Sequence, residues 1–379
     1  MVASPVIRQG PAAIVVSTPS IGPMKLLTTI ACAGLIFVGC GSRESGSRDH
    51  MAGDRPQAPA RPVPTDSLTL AFYNLENLFD TGNDPDNPGD DEYTPEGRLH
   101  WTSDRLEKKL EDLARAIRAI GGYQGPDILG ICEVENRGMV ERLATEFLPE
   151  GVYRFVHEES PDERGIDVAI IYRSSAMSLR HSTLHRIELG GGDQTRGILE
   201  ATFERNGRTF TVLANHWPSR SGGEARSASK RARAAEAAVE IIERITDKDP
   251  DADIVLMGDL NDEPSNESVQ DVLGAVAFDG AFDGRMINTA APVAALDTIG
   301  SYYFKKDWET IDQICLSRGA LDEKGIVLYQ TAETVFAPDF LRDPRADRSA
   351  LPPYRTFKGD QYIAGTSDHF PVYLRVGWR

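Results

Sequence analysis

Apolar side chains recur at Leu106, Leu110, Leu113, Ile117 and Ile120, at spacings of four and three, which predicts an amphipathic helix over 104–120 closed by Gly121-Gly122. An alanine-rich stretch predicts a second, longer helix over 224–246. Around these lie short, β-branched apolar runs with the signature of strands, at 68–73, 127–132, 168–172, 178–187, 198–205, 210–215 and 254–257. Two more strands are expected near 311–316 and 370–376. Several consecutive strands interrupted by a few helices favour a layered α/β protein over a strict βαβ repeat. No internal repeat is visible, and nothing divides 67–379 into two domains.

The amino-terminal segment follows another pattern. Residues 26–39 are uncharged and mostly apolar, after Met24-Lys25 and before Cys40-Gly41-Ser42. The whole uncharged run, 26–42, is seventeen residues, short for a membrane span. A basic start, a short apolar stretch and a small-residue exit describe a secretory signal over 1–39, with Met24 as the expected true start. Phe37-Val38-Gly39-Cys40 resembles a bacterial lipobox, with Phe37 where Leu is usual, and implies lipidation of Cys40. The expectation is an exported, membrane-anchored lipoprotein, periplasmic or at the cell surface. Residues 40–66, with Pro56, Pro59, Pro62 and Pro64 and few apolar side chains, read as a flexible tether to a catalytic body over 67–379.

Charge narrows the picture. The chain has 58 acidic and 41 basic residues, and removal of 1–39 deletes Arg8 and Lys25, taking the net charge from −17 to −19. So acidic a protein is a poor candidate for a sequence-blind grip on duplex DNA, which relies on surplus Lys and Arg. Four cysteines make no disulfide scaffold or zinc spacing, and Cys132 and Cys315, inside apolar strands, are expected as buried free thiols.

The chemistry gathers at strand ends. Asn74 and Glu76 follow the first strand, Glu133 the second, and His216 the strand ending at Asn215. Asp259 and Asn261 follow 254–257, Asp312 starts a later strand, and Ser367-Asp368-His369 precedes the last. Taken singly, each has a bland explanation: Asp-x-Asn as turn chemistry, Glu133 beside a helix cap near Asn136, His216 packed on Trp217, Ser367-Asp368-His369 as a polar turn. Together, polar groups at successive strand termini converge on one rim of a sheet. A set of Glu, Asp and Asn oxygens suits a hard cation such as Mg²⁺.

The ordered motifs Tyr73-Asn74-Leu75-Glu76-Asn77, Cys132-Glu133, Asn215-His216, Gly258-Asp259-Leu260-Asn261, Ile311-Asp312 and Ser367-Asp368-His369 resemble the endonuclease/exonuclease/phosphatase superfamily. The resemblance spans about 68–376. It implies a deoxyribonuclease I-like four-layer α/β sandwich, two packed mixed sheets flanked by helices, and phosphoester hydrolysis with Mg²⁺ or Mn²⁺, Ca²⁺ being a further candidate. It further implies Glu133 as the principal metal carboxylate with Asn74 as its partner. Asp259 and Asn261 would orient water and hold the phosphate, and His369 would pair with Asp312. Asp368 would sit at a second metal or water-ordering position, and Glu76 is a looser metal candidate. His216 corresponds to the second histidine of the deoxyribonuclease-like and phosphatase-like branches and argues against the abasic-site repair branch.

Two charge anomalies remain. Arg220, Arg226, Lys230, Arg231 and Arg233 crowd the stretch after His216, either as a solvated helix face or as a phosphate-facing patch. Arg220, Arg226, Arg164 and Arg196 are the candidate phosphate contacts. Residues 80–96 carry seven carboxylates and no basic residue, as a lid, a Ca²⁺ loop or merely a solvated loop. The expected activity is an exported nuclease or phosphodiesterase acting on nucleic acid, as a monomer with no protein partner. The alternatives are hydrolysis of an inositol phosphate, sphingomyelin-type lipid or small phosphoester, and a non-catalytic binding protein on the same fold.

Overall fold

The structure, a computed structural model, describes residues 64–85, 87–347 and 350–379. The expected signal, the lipobox and most of the tether lie outside the described residues. The described residues form one compact unit, and no described helix is long and apolar enough to cross a membrane.

The strands in chain order are β1 (Ser67–Leu78), β2 (Ile128–Val134), β3 (Tyr153–His157), β4 (Asp167–Arg173), β5 (Ser178–His185), β6 (Ile198–Arg205), β7 (Arg208–His216), β8 (Ile254–Asp259) and β9 (Ala275–Val276). They continue as β10 (Met286–Asn288), β11 (Tyr302–Phe304), β12 (Asp307–Glu309), β13 (Asp312–Ser317), β14 (Ile326–Val327), β15 (Thr334–Val335), β16 (Phe357–Lys358), β17 (Gln361–Tyr362) and β18 (Val372–Trp378). The helices are α1 (Ser103–Tyr123), α2 (Arg137–Arg142), α3 (Glu224–Thr246) and α4 (Ala291–Ala294). One sheet runs β14-β18-β1-β2-β4-β3, with β15 also on β18, and the other runs β5-β6-β7-β8-β13-β10-β9.

Alternation along β1 explains the layering. Leu68, Leu70 and Phe72 enter the core between the sheets, against Val212, Ala214, Val255 and Met257. Ala71 and Tyr73 point the other way, beneath Leu106, Leu110, Leu113 and Ile117 of α1. Leu213 and Leu256 of the second sheet meet Ala234, Ala238 and Ile241 of α3. The result is the four-layer α/β sandwich, with each fully buried leucine stabilising it by roughly 1.5–3 kcal/mol. Gly130 lets the sheets approach closely, since a Cβ there would lie 2.8 Å from the Met257 sulfur.

Several boundaries differ from the sequence reading. The α1 backbone leaves helical geometry at Ile120–Gly122, as the glycine pair foretold. β1 runs on to Leu78 rather than stopping at Tyr73, but left-handed Glu76 and Asn77 break its register between Asn74 and Leu78. β3 was not expected; it is short and alternates an exposed Arg154 with buried neighbours. The end of the expected tether is docked: the Asp66 carbonyl accepts from the Trp378 amide at 3.0 Å and its carboxylate pairs with Arg205 at 2.6 Å. Cys132 and Cys315 are buried free thiols.

Candidate active site

The polar residues at the strand ends line one cavity of about 530 Å³, which includes Asn74, Glu133, His216, Asp259, Asn261, Asp368 and His369. Strand register makes this convergence. β7 and β8 are parallel with His216 opposite Asp259, and β8 and β13 are antiparallel with Asp259 opposite Asp312. The three residues therefore stand in one row across neighbouring strands. Gly258 permits the close pairing, because a Cβ there would lie 2.5 Å from the Asn215 carbonyl oxygen.

The first sheet contributes Asn74 and Glu133. Asn74 Nδ2 donates to Asp259 Oδ2 at 3.1 Å, joining the sheets through the site, while Asn74 Oδ1 accepts from the Glu76 amide at 2.9 Å. Glu133 takes a left-handed backbone, φ 59°. Its Oε2 accepts from the Asn77 amide at 3.1 Å; its Oε1 has contacts of 3.4 Å from both Arg164 Nη atoms and lies 3.9 Å from His216 Nε2. On the other side Asp259 Oδ1 accepts from the Asn261 amide at 2.9 Å, and Asn261 Nδ2 donates to the Trp217 carbonyl at 3.0 Å.

The two histidines differ in charge. His369 Nδ1 donates to Asp312 Oδ2 at 2.6 Å, and its backbone amide donates to Ser367 Oγ at 3.1 Å, which itself donates to the Asn74 carbonyl. Burial alone would lower the His369 pKa, but Asp312, Asp259 and Asp368 outweigh it and push it up to about 10. His216 is lowered well below its ordinary value by burial and then by the positive charges of Arg196, Arg164 and His369. Its Nδ1 is buried with no hydrogen-bond partner. Burial and the neighbouring Asp312 raise Asp259, partly countered by His369 and the Asn261 amide. At neutral pH one imidazole is thus cationic and the other neutral. Both Nε2 atoms lie near Asp259 Oδ2, His216 at 3.8 Å and His369 at 4.0 Å.

The donor set fits a hard divalent cation. The cavity-facing Glu133 oxygen has only long contacts to Arg164, and the Asn74 amide oxygen keeps an unused lone pair after accepting one amide. These two residues, with Asp368 across the cavity, would hold Mg²⁺ or Mn²⁺, and such an ion supplies Lewis-acid stabilisation of phosphoryl charge. Cys132 lies within reach of His216 and Asp259, but its soft thiol suits Mg²⁺ or Mn²⁺ less well than these oxygens.

Other expected site residues have different partners. Glu76 is not a metal ligand: its carboxylate accepts from the Thr356 amide at 2.6 Å and the Phe357 amide at 3.3 Å, since the left-handed turn at 76–77 swings it away from the cavity. Beneath it, buried Lys109 donates to the Glu76 carbonyl, Thr356 Oγ1 and the Thr366 carbonyl. Arg196 is not a phosphate contact either; it is buried, donating to Asp162 at 2.9 Å and the Trp217 carbonyl at 3.0 Å. Arg226 is exposed and does not line the cavity. Arg164 is committed to Glu133 and to Asn77 Oδ1, at 2.6 Å from the latter. The basic patch dissolves in the same way: Lys230 pairs with Asp193 at 2.6 Å, and fully buried Arg231 pairs with Asp262 at 2.7 Å. Only Arg220 faces the cavity. Its Nε donates to the Asn261 carbonyl at 2.7 Å, its Nη1 pairs with Glu309 at 3.2 Å, and its Nη2 is buried without a hydrogen-bond partner.

Among the described residues, none of 80–85 or 87–96 lines this cavity; Asp80, Asp84 and Asp90 line a separate acidic depression with residues of 159–167. The sequence reading missed Tyr302, Phe304 and Lys305, which line the cavity, and Arg355, whose Nη2 holds Asp368 Oδ2 at 2.6 Å. The aromatic run Tyr302-Tyr303-Phe304, followed by a polar Lys305-Lys306-Asp307 stretch and Trp308, was the available signal for that hairpin.

Comparison with known proteins agrees with this architecture. The endonuclease/exonuclease/phosphatase family model matches residues 69–377, and the chain belongs to that family, whose members are phosphoester hydrolases. Among solved structures, it is similar to truncated Caenorhabditis elegans TDP2, at 14% identity and a TM-score of 0.51 over 82% of this chain and 98% of that one. A Bacteroides thetaiotaomicron endonuclease/exonuclease/phosphatase family protein matches at 17% identity and a TM-score of 0.50 over 83% and 95% of the two chains. A mannosyl-6-phosphatase of the same organism matches at 17% identity and a TM-score of 0.50 over 81% and 98%. At these identities the likeness shows the fold alone. No curated protein matches the sequence.

Proposed function

We propose that the chain is a metal-dependent phosphodiesterase that cleaves nucleic acid, exported and lipid-anchored through Cys40. The single observation behind the reaction is the pair of imidazoles, one cationic and one neutral, on either side of Asp259 Oδ2. Diester hydrolysis needs a water aligned for attack, charge neutralised on the phosphoryl oxygens and a proton for the leaving oxygen. In this reading Asp259 and Asn261 orient the water, and neutral His216 hydrogen-bonds the phosphate. Cationic His369, held by Asp312, protonates the leaving oxygen. Arg220 offers its free Nη2 to a non-bridging oxygen, and Glu133 with Asn74 holds Mg²⁺ or Mn²⁺.

The second reading, a small phosphoester as substrate, draws on Glu224, which lines the same cavity and would disfavour a long polyanion, while Glu309 beside it is paired with Arg220. The test is hydrolysis by the purified protein of single-stranded DNA, duplex DNA, RNA, a phospholipid and a sugar phosphate, with Mg²⁺, Mn²⁺ or Ca²⁺. Cleavage of a nucleic acid that Glu133→Gln and His369→Ala abolish is expected. Hydrolysis of the sugar phosphate alone would transfer the assignment to a phosphomonoesterase, and no hydrolysis at all would sink both.

A further inference from the structure

The β11–β12 hairpin carries a file of rings out of the catalytic centre. Tyr302 stacks on the His369 imidazole with centroids 4.7 Å apart and planes 29° apart, and Phe304 lies parallel to Tyr302 at 6.2 Å and 18°. A backbone bridge between Tyr302 and His369 fixes the inner end of the file. The outer end is open: Phe304 is 46% exposed, and among the described residues only it and Leu296 are large hydrophobics left in solvent. Lys305 Nζ lies 4.9 Å from the Phe304 ring centroid. The hairpin tip is unusual too, since Lys305 and Lys306 both take positive φ, 50° and 79°, where Asn-Gly would fit without strain. The fold therefore tolerates an unfavourable turn that sets the Lys305 ammonium over the exposed aromatic ring.

We propose that Phe304 is a substrate-binding platform that stacks a nucleobase flanking the scissile phosphate, with Lys305 meeting the neighbouring phosphate. The inference rests on the phosphodiesterase reading and names its substrate class, single-stranded polynucleotide. A planar face next to a cation is what a base with its backbone phosphate requires, and stacking accepts any base because each has a π-face. A duplex would keep its bases paired and out of reach of the ring. The alternative occupant, a lipid surface, is disfavoured because a single phenylalanine aligned with a catalytic imidazole offers little apolar area.

The test compares wild type, Phe304→Ala, Phe304→Leu and Phe304→Trp on a single-stranded oligonucleotide and on glycerophosphoethanolamine, a diester without rings. Phe304→Ala is expected to raise KM for the oligonucleotide roughly 5- to 100-fold with little change in kcat, as loss of one stacked base implies. Phe304→Trp should restore it, Phe304→Leu should not, and the KM for the ring-free diester should change far less than that for the oligonucleotide. In a chelator, so that nothing is cleaved, 2-aminopurine in the oligonucleotide should be quenched by wild type and not by Phe304→Ala. Unchanged oligonucleotide KM and unchanged quenching in Phe304→Ala would overturn the proposal. So would loss of binding to phosphatidylglycerol vesicles with the oligonucleotide KM intact, which would make Phe304 a lipid contact. A wild type that hydrolyses nothing refutes the proposed activity, while the quenching measurement still decides the stacking site.

Discussion

Asp312→Asn tests how the fold sets the charge on His369. The carboxylate lies 2.6 Å from His369 Nδ1, and both side chains are almost wholly buried. With Asp312 as the chief raising influence, the imidazole titrates near 10 instead of 6.5. That difference corresponds to about 5 kcal/mol of preference for the imidazolium, shared with Asp259 and Asp368. Asparagine keeps the shape and removes the charge, leaving burial to dominate and to draw the pKa to or below its ordinary value. If it falls to ~6, only about 3% of molecules carry the proton at pH 7.5, and kcat should fall about 10²- to 10³-fold there once misorientation is added. The assay is kcat against pH from 5 to 10 on a chromogenic phosphodiester. Wild type should lose activity only near pH 10, whereas Asp312→Asn should lose it at least three units lower and recover partly at pH 5.5. A variant with an unmoved basic limb and a rate within threefold of wild type would refute the reasoning. Stability follows the same linkage. Because the folded-state pKa is raised, the pair's contribution is fully present below pH 6.5 and is lost as pH rises through about 10, so the melting advantage over Asp312→Asn should shrink across that window.

Three further outcomes follow from buried charges. Glu333 accepts from the Ile314 amide and Thr289 Oγ1, and burial pushes its pKa from 4.5 up to about 8. Its protonated form is the one the fold prefers, so that contribution is complete below pH 4.5 and lost as pH climbs through about 8. Glu333→Gln should therefore gain on wild type by a few kcal/mol in urea unfolding at pH 8.5 compared with pH 5, and a pH-independent difference would count against this. Arg231→Met strands the buried Asp262 carboxylate and should cost about 3–5 kcal/mol in the same measurement; a loss under about 1 kcal/mol would show the pair to be incidental. Glu76→Gln should leave the metal concentration for half-activation within about twofold of wild type, whereas Glu133→Gln should raise it at least about tenfold; equal effects would return Glu76 to the metal site.

What the sequence made legible was whatever local pattern determines. The spacing of Leu106, Leu110, Leu113 and Ile117 located α1, and Gly121-Gly122 its end, because both signals act within a few residues. The strand-end positions of Glu133, His216, Asp259 and Asp312 were readable for the same reason, since a strand's end fixes where the next side chain projects. Destinations of long side chains were not readable. Lys230 and Arg231 looked like one electropositive patch with Arg220, and Arg196 like a phosphate contact, yet each of the three meets an acid brought from elsewhere by tertiary packing, at Asp193, Asp262 and Asp162. Glu76 was misjudged because the left-handed turn at 76–77 is a backbone choice that non-glycine residues do not advertise. The aromatic file escaped notice because Tyr302 and His369 are far apart in sequence and meet only through the bridge between them.

The order in which the chain supplies its site carries a consequence for biosynthesis. Asn74 and Glu133 come from the first strands and His216, Asp259 and Asp312 from the middle, while His369 immediately precedes β18, the strand that pairs with β1. On the proposed roles, a growing polypeptide possesses its water-orienting row long before its proton donor. Hydrolysis would then begin only when Val372–Trp378 docks beside the strand made first. Chains clipped before that strand should accordingly be inert, the chemistry staying latent until the body has closed.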